Sequence, residues 1–237
     1  MMDRTGRVDR LSVLLLGLGL SLHSLVAAES PMQVDDAGTL ERGQYKVESI
    51  LQKAGRRTEL TGAIGLGVGR GAELEVSRML GRDRTDVPRD AVSATAAAVK
   101  WVPYASDTGW SFGTRLEFGR LASGSGIDPS RVVERSGSLL GLASYRFDEH
   151  TAAHINLGGA RIRTDGARSF SSMWGIGADV GLFPQAQLTA EWYGQAEERP
   201  WRALGLRYRV LPSLKLSAAA GWGADATLYQ VGVSLEY

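Results

Sequence analysis

The 237-residue sequence predicts an all-β fold: a transmembrane, up-and-down antiparallel β-barrel of about twelve strands behind a cleaved signal peptide. Three observations predict it. The chain opens like an export signal. Most of the remainder alternates apolar and polar side chains with a period of two. The breaks between alternating runs are short on one side and longer on the other.

Arg4, Arg7 and Arg10 make a basic start, Leu11 to Ala28 is apolar, and the small residues Val26-Ala27-Ala28 precede polar Glu29. Charge, short apolar core and small-residue cleavage site are the parts of a secretory signal, so residues 1–28 are read as removed. A membrane-spanning helix needs roughly 20 apolar residues, and no later run supplies them. If the exported chain spans a bilayer, it does so with strands.

The alternation is clearest at the C-terminus. Tyr229, Val231, Val233, Leu235 and Tyr237 share one face of a strand, and Gln230, Gly232, Ser234 and Glu236 share the other. Trp110 to Phe118, Trp174 to Leu182 and Leu204 to Val210 repeat the pattern. The strands are expected at 43–53, 57–68, 72–80, 93–103, 110–119, 136–147, 151–161, 169–182, 187–194, 202–210, 214–222 and 228–237. The first is less regular, because Ser49 interrupts its apolar face.

With the first strand rising from the periplasm, the periplasmic connections are Gly69–Gly71, Tyr104–Thr108, Asp148–His150, Phe183–Ala186 and Leu211–Ser213. The outer connections are Gly81–Val92, Gly119–Arg135, Arg163–Arg168, Gln195–Trp201 and Gly223–Thr227, which are longer and polar. That asymmetry, and an even strand count returning the chain to the periplasm, belong to a closed outer-membrane barrel. Closure matters because an open edge in lipid leaves backbone groups unpaired. Trp110, Trp201, Trp222, Tyr104, Tyr145, Phe147, Tyr208 and Tyr237 fall near strand ends, where rings favour the lipid–water boundary. A soluble sandwich or lipocalin-like barrel is the alternative and explains the loop asymmetry less well.

Composition excludes several function classes. Basic and acidic residues number 27 and 26, so a nucleic-acid binder's basic excess is missing. There is no cysteine, hence no disulfide scaffold, thiolate metal site or cysteine nucleophile. Histidines and carboxylates show no metal-ligand spacing, and Gly65 to Gly71 lacks the dinucleotide-loop spacing because Arg70 stands at a glycine position. No cofactor is expected. A lipid-modifying enzyme would need a serine–histidine pair. Ser144, His154 and Asn156 share a face of neighbouring strands; a hydrogen-bonded lumen network is the preferred reading over a catalytic one.

The segment Asp35-Asp36-Ala37-Gly38-Thr39-Leu40 leads through Gly43 into the first strand. Gly67-Val68-Gly69 runs into Glu73-Leu74-Glu75-Val76, and Ala98-Val99-Lys100-Trp101 follows. Together these resemble a family of outer-membrane barrels labelled as transporters, some linked to the phenol meta-degradation pathway. The resemblance implies a transporter-type barrel in a Gram-negative outer membrane. It supplies no solute and no catalytic residue.

The polar face of a lipid-embedded barrel lines its lumen. The expected lumen residues are Lys46, Glu48, Lys100, Arg115, Glu117, Arg146, His154, Asp179, Glu191, Arg207, Arg209 and Lys215, with Glu73 and Glu75 beside them. Their charges nearly balance, against a strongly ion-selective pore. Small lumen residues, among them Gly65, Gly175, Gly177, Gly205 and Gly232, leave space. A water-filled passage for small solutes and a charge-paired, closed interior both remain open. Residues 29–42 are read as an N-terminal periplasmic extension, or as a plug at the barrel base, and 43–237 as the barrel.

The favoured function is a passive channel for small solutes. The alternatives are a non-conducting structural or adhesion barrel and, least favoured, the lipid-modifying enzyme. Outer-membrane lipids and the barrel assembly machinery are the expected partners, the machinery reading Tyr229, Val231, Val233, Leu235 and Tyr237. Arg78 falls on the lipid-facing parity; it snorkels to the headgroups, or a bulge at Ser77 turns it away.

Overall fold

The computed structural model describes residues 29–84, 90–125, 132–164, 167–223 and 226–237. The expected signal lies outside the described residues. Twelve strands follow one another: β1 (Tyr45–Ala54), β2 (Arg57–Gly69), β3 (Ala72–Asp83), β4 (Asp90–Tyr104), β5 (Gly109–Ser125), β6 (Val132–Arg146), β7 (Thr151–Thr164), β8 (Ala167–Phe183), β9 (Ala186–Gln195), β10 (Trp201–Leu211), β11 (Leu214–Gly223) and β12 (Ala226–Glu236). Each pairs antiparallel with the next, and β12 closes on β1, with Val47 opposite Leu235 and Leu51 opposite Val231. Among the described residues there is no open sheet edge, which satisfies the backbone without water.

The strands extend farther than the alternation suggests, mainly at the rim opposite the chain termini. β3 continues to Asp83, β5 to Ser125 and β7 to Thr164, while β4 begins at Asp90 and β6 at Val132. Backbone ladders do not need lipid, so pairing continues past the point where apolar side chains stop alternating. The long polar connections shorten accordingly. Thr85–Arg89, Gly126–Arg131, Asp165–Gly166 and Ala224–Asp225, which fall in four of them, lie outside the described residues.

The faces separate cleanly. Ile64, Val76, Phe118, Leu139, Leu157, Ile176, Leu204 and Val231 project outward and are exposed, whereas Glu48, Glu75, Arg115, Glu117 and Gln230 project inward and are buried. That inversion of a soluble protein's pattern is what a lipid solvent requires. The pairing of β1 is regular, with Ser49 opposite Gly62 and Val233, and Ser49 stands among the outward apolar residues as expected. Arg78 stays outward without a bulge, opposite Thr95, and its guanidinium donates to the Thr95 hydroxyl at 2.6 Å. An arginine facing lipid costs about 2–4 kcal/mol at mid-bilayer and about 0–1 near the interface.

Aromatic rings gather at the terminus-bearing rim. Tyr45 stacks on Tyr237 at 5.4 Å, and Trp110 packs edge-on to Tyr145 at 5.1 Å. Trp201 departs from the expected boundary position. It lies on the inward parity of β10, 4% exposed, in a cluster with Met32, Val34, Tyr193 and Leu228. Two members of that cluster precede the barrel in sequence, because residues 29–42 run inside the ring of strands.

Candidate functional site

A non-helical segment inside a barrel poses an accounting problem. Its amide groups have no ladder, and each one left unsatisfied costs about 1–3 kcal/mol. Here the barrel wall supplies the acceptors from side chains. The Ser30 N–H donates to Glu48 Oε1 at 3.1 Å. Those of Gln33 and Val34 donate to Glu191 Oε2 at 2.7 and 3.0 Å. Asn156 treats Asp35 as a strand neighbour would: its Oδ1 accepts from the Asp35 N–H at 2.7 Å and its Nδ2 donates to the Asp35 carbonyl at 2.8 Å. The Ala37 N–H donates to Ser144 Oγ at 2.7 Å, and the Leu40 N–H to Glu73 Oε2 at 3.1 Å. The segment thus crosses from β12 past β9, β7 and β6 to β3 without pairing as a strand.

Charge pairs hold its two halves. Lys100 Nζ lies 2.7 Å from both Asp35 Oδ1 and Asp36 Oδ1. Arg115 binds Glu75 at 2.9 Å and Glu117 at 3.2 Å, and its second amino group stands 3.8 Å from Asp35 Oδ2. At the other end Arg207 donates to the carbonyls of Ser30 and Glu29 at 2.9 and 2.8 Å, and Lys215 bridges Glu29 at 2.6 Å and Glu236 at 2.9 Å. Glycine-lined space in the wall is what the segment occupies. A Cβ on Gly175 would come 2.8 Å from a Val34 methyl.

Of the expected lumen residues, Lys46, Glu48, Lys100, Arg115, Glu117, His154, Glu191 and Arg207 are buried in the interior. Glu48, Lys100, Arg115, Glu191, Arg207 and Lys215 meet the segment directly. Arg146, Asp179 and Arg209 instead line a vestibule of about 510 Å³ at the terminus-bearing mouth, together with His154, Arg207 and Lys215. The wall polarity was legible in the sequence. That it serves the backbone of residues 29–42 was not, because nothing local in Ser30-Pro31-Met32 announces a lumen address.

Ser144 and His154 do meet, Oγ to Nδ1 at 2.8 Å, and His154 Nε2 lies 3.2 Å from Asp179 Oδ1. The third member is therefore Asp179; Asn156 is spent on Asp35. With the His154 proton on Nε2, facing the Asp179 carboxylate, its Nδ1 accepts from the Ser144 hydroxyl, whose oxygen also accepts from the Ala37 N–H. The chain of donors runs in one direction, with Ser144 buried behind the segment. This arrangement anchors a backbone: Ser144 is held against Ala37, and His154 and Asp179 face the vestibule.

Burial alone would raise the carboxyls of Asp36 and Glu29. The Lys100 ammonium overrides it at Asp36, and Arg207 and Lys215 override it at Glu29, so both lie below their usual values. Depressed values mean that the seated segment is stabilised above the ordinary carboxylate range and loses that stabilisation as pH falls through the depressed values. The part of seating carried by these two carboxylates, read as protection of residues 29–42 from protease, is expected to be lost only as pH falls below about 4.

The chain is similar in fold to solved outer-membrane barrels. The KdgM porin in complex with disordered oligogalacturonate is 12% identical, with 80% of this chain and 98% of that chain covered and a TM-score of 0.59. The NanC porin is 11% identical, covering 81% and 98%, with a TM-score of 0.57. The translocator domain of the autotransporter NalP from Neisseria meningitidis is 11% identical, covering 100% and 99%, with a TM-score of 0.60. At such identities the likeness establishes the fold, and with the outward apolar band it points to the outer membrane. No curated protein matches the sequence. The neighbours support the outer-membrane barrel part of the resemblance seen in the sequence and not its phenol-pathway branch. Residues 18–222 match the family described as uncharacterised conserved protein UCP029691, and the chain belongs to that family.

Proposed function

We propose that the protein is an outer-membrane channel for small polar solutes whose resting lumen is closed by its own residues 29–42. One observation carries the reading: the lumen is occupied by a segment held through side-chain contacts, with Lys100, Arg115, Glu191 and Arg207 as its anchors. A wall that needed only to be filled would carry large apolar residues. This one instead carries balanced charges and small residues that become a hydrated passage once the segment leaves. The transporter-type resemblance and the porin neighbours support the same reading; the phenol label is not carried over. The solutes suited to such a wall are small and neutral or zwitterionic, since neither sign of charge dominates.

A closed barrel acting through its outer rim is the second reading. An inward apolar cluster of Met79, Val92, Ala94, Ala96 and Leu121 favours it. Planar-bilayer conductance separates the two. The mature protein is expected to be mostly silent, and a variant lacking residues 29–42 to conduct steadily while remaining heat-modifiable. A silent, folded deletion variant would favour the closed barrel.

A further inference from the structure

The outward surface carries a charge pattern of its own. No acidic residue stands on the outward parity of the described strands, whereas arginines do, and only toward the rim away from the termini. They are in register. Arg78 is opposite Thr95, Thr95 opposite Arg120, Arg120 opposite Arg135, Arg135 opposite Arg163 and Arg163 opposite Arg168. One row therefore crosses six consecutive strands, β3 to β8. Like charges directly opposite one another destabilise a sheet, and four adjacent strands repeat the conflict. Such a row is stable when an external anion lies over it.

Its height identifies that anion. On β5 the outward residues Trp110, Phe112, Leu116 and Phe118 precede Arg120, so the apolar run spans nine residues and the charge begins where it stops. Nine to eleven tilted residues cross the hydrocarbon. Strand tilt makes the row oblique: Arg78 stands mid-strand, six residues from the start of β3, whereas Arg120, Arg135, Arg163 and Arg168 stand eleven to fifteen residues from the terminus-bearing ends of β5 to β8, at headgroup level and above it. On the opposite flank, at the same rim, a groove of about 810 Å³ is lined by Lys53, Arg202, Trp222 and Tyr229. Arg202 lies over the Trp192 ring, 5.7 Å from its centroid. Arginine forks match phosphate oxygens in pairs, and ring faces beside them suit a sugar or an acyl chain.

We propose that these arginines bind the phosphate groups of an anionic lipid in the leaflet at the loop-bearing rim. Standing at the upper end of the apolar band on β5 to β8, and again at Arg202 on β10, they meet lipid headgroups, which suits lipid phosphate better than an acidic protein.

The test uses refolded mature protein in detergent, with bisphosphorylated lipid A as probe, its dephosphorylated form as control, and native mass spectrometry as readout. The wild type is expected to retain the phosphorylated lipid selectively. The variant Arg120→Gln/Arg135→Gln/Arg163→Gln/Arg168→Gln is expected to bind it about a hundredfold more weakly. Lysine at the same four positions, which keeps the charge and loses the fork, should fall between them, and it keeps the test usable if the Gln variant does not fold. Equal retention of the two lipids, or equal binding by wild type and Gln variant, overturns the proposal. So does full competition by inorganic phosphate, or capture of an acidic protein without lipid discrimination.

Discussion

Replacing Lys100 by Met should open the lumen. The Lys100 ammonium is the 2.7 Å partner of both Asp35 and Asp36, and its side chain is 8% exposed. Removing one member of a buried ion pair costs about 3–5 kcal/mol, because the remaining charges stay desolvated. The barrel cannot relieve that cost by unfolding a strand without breaking its ladder. Residues 29–42 can relieve it by leaving, which returns both aspartates to water. The seated-to-released ratio should therefore fall roughly a hundred- to a few thousandfold. The observable is a rise in single-channel open probability with the heat-modifiable band unchanged. An unchanged open probability would mean that the ion pairs do not control seating.

A steric change should reach the same state without touching a charge. A Cβ on Gly67 would overlap the Glu41 carbonyl oxygen and come 2.6 Å from that of Leu40. Both neighbours are backbone, so neither yields by changing rotamer. Gly67 also exchanges hydrogen bonds with the entry of the barrel: its carbonyl accepts from Gly43 at 2.8 Å and its N–H donates to the Gln44 carbonyl at 2.9 Å. Valine is at home in a strand, so Gly67→Val should spare β2 and displace residues 40–43. Conductance comparable to that of Lys100→Met is expected. Combining the two should add little, because a segment already released cannot be released again. Full additivity would show that the substitutions act on separate processes.

The barrel was legible because its two determinants are local. A period of two assigns each side chain to a face, and twelve alternating runs return the chain to its starting rim. What the alternation missed were strand ends beyond the lipid, where polarity no longer alternates, and Trp201, whose ring reads as a boundary residue until its parity is counted from β10. The lumen residues were legible as a polar face. So was the meeting of Ser144 with His154 across neighbouring strands. Their other partners were not: Asp179 as the third member and the Asp35–Asn156 clamp depend on register across β6, β7 and β8 and on the path of an irregular segment. Neither leaves a periodic trace. The outward arginines were present in the parity, yet only Arg78 stood out, since Arg120, Arg135, Arg163 and Arg168 fall where connections were expected.

Whether residues 29–42 close the lumen is decided by a reversible lock. A Cβ on Gly175 would lie 3.7 Å from that of Val34, within the span a disulfide requires, and the chain has no cysteine to interfere. Val34→Cys/Gly175→Cys in the Lys100→Met background should be silent when oxidised and conduct when reduced, within one membrane and one preparation. Equal conductance in both redox states, with the cross-link verified by mass, would contradict the account.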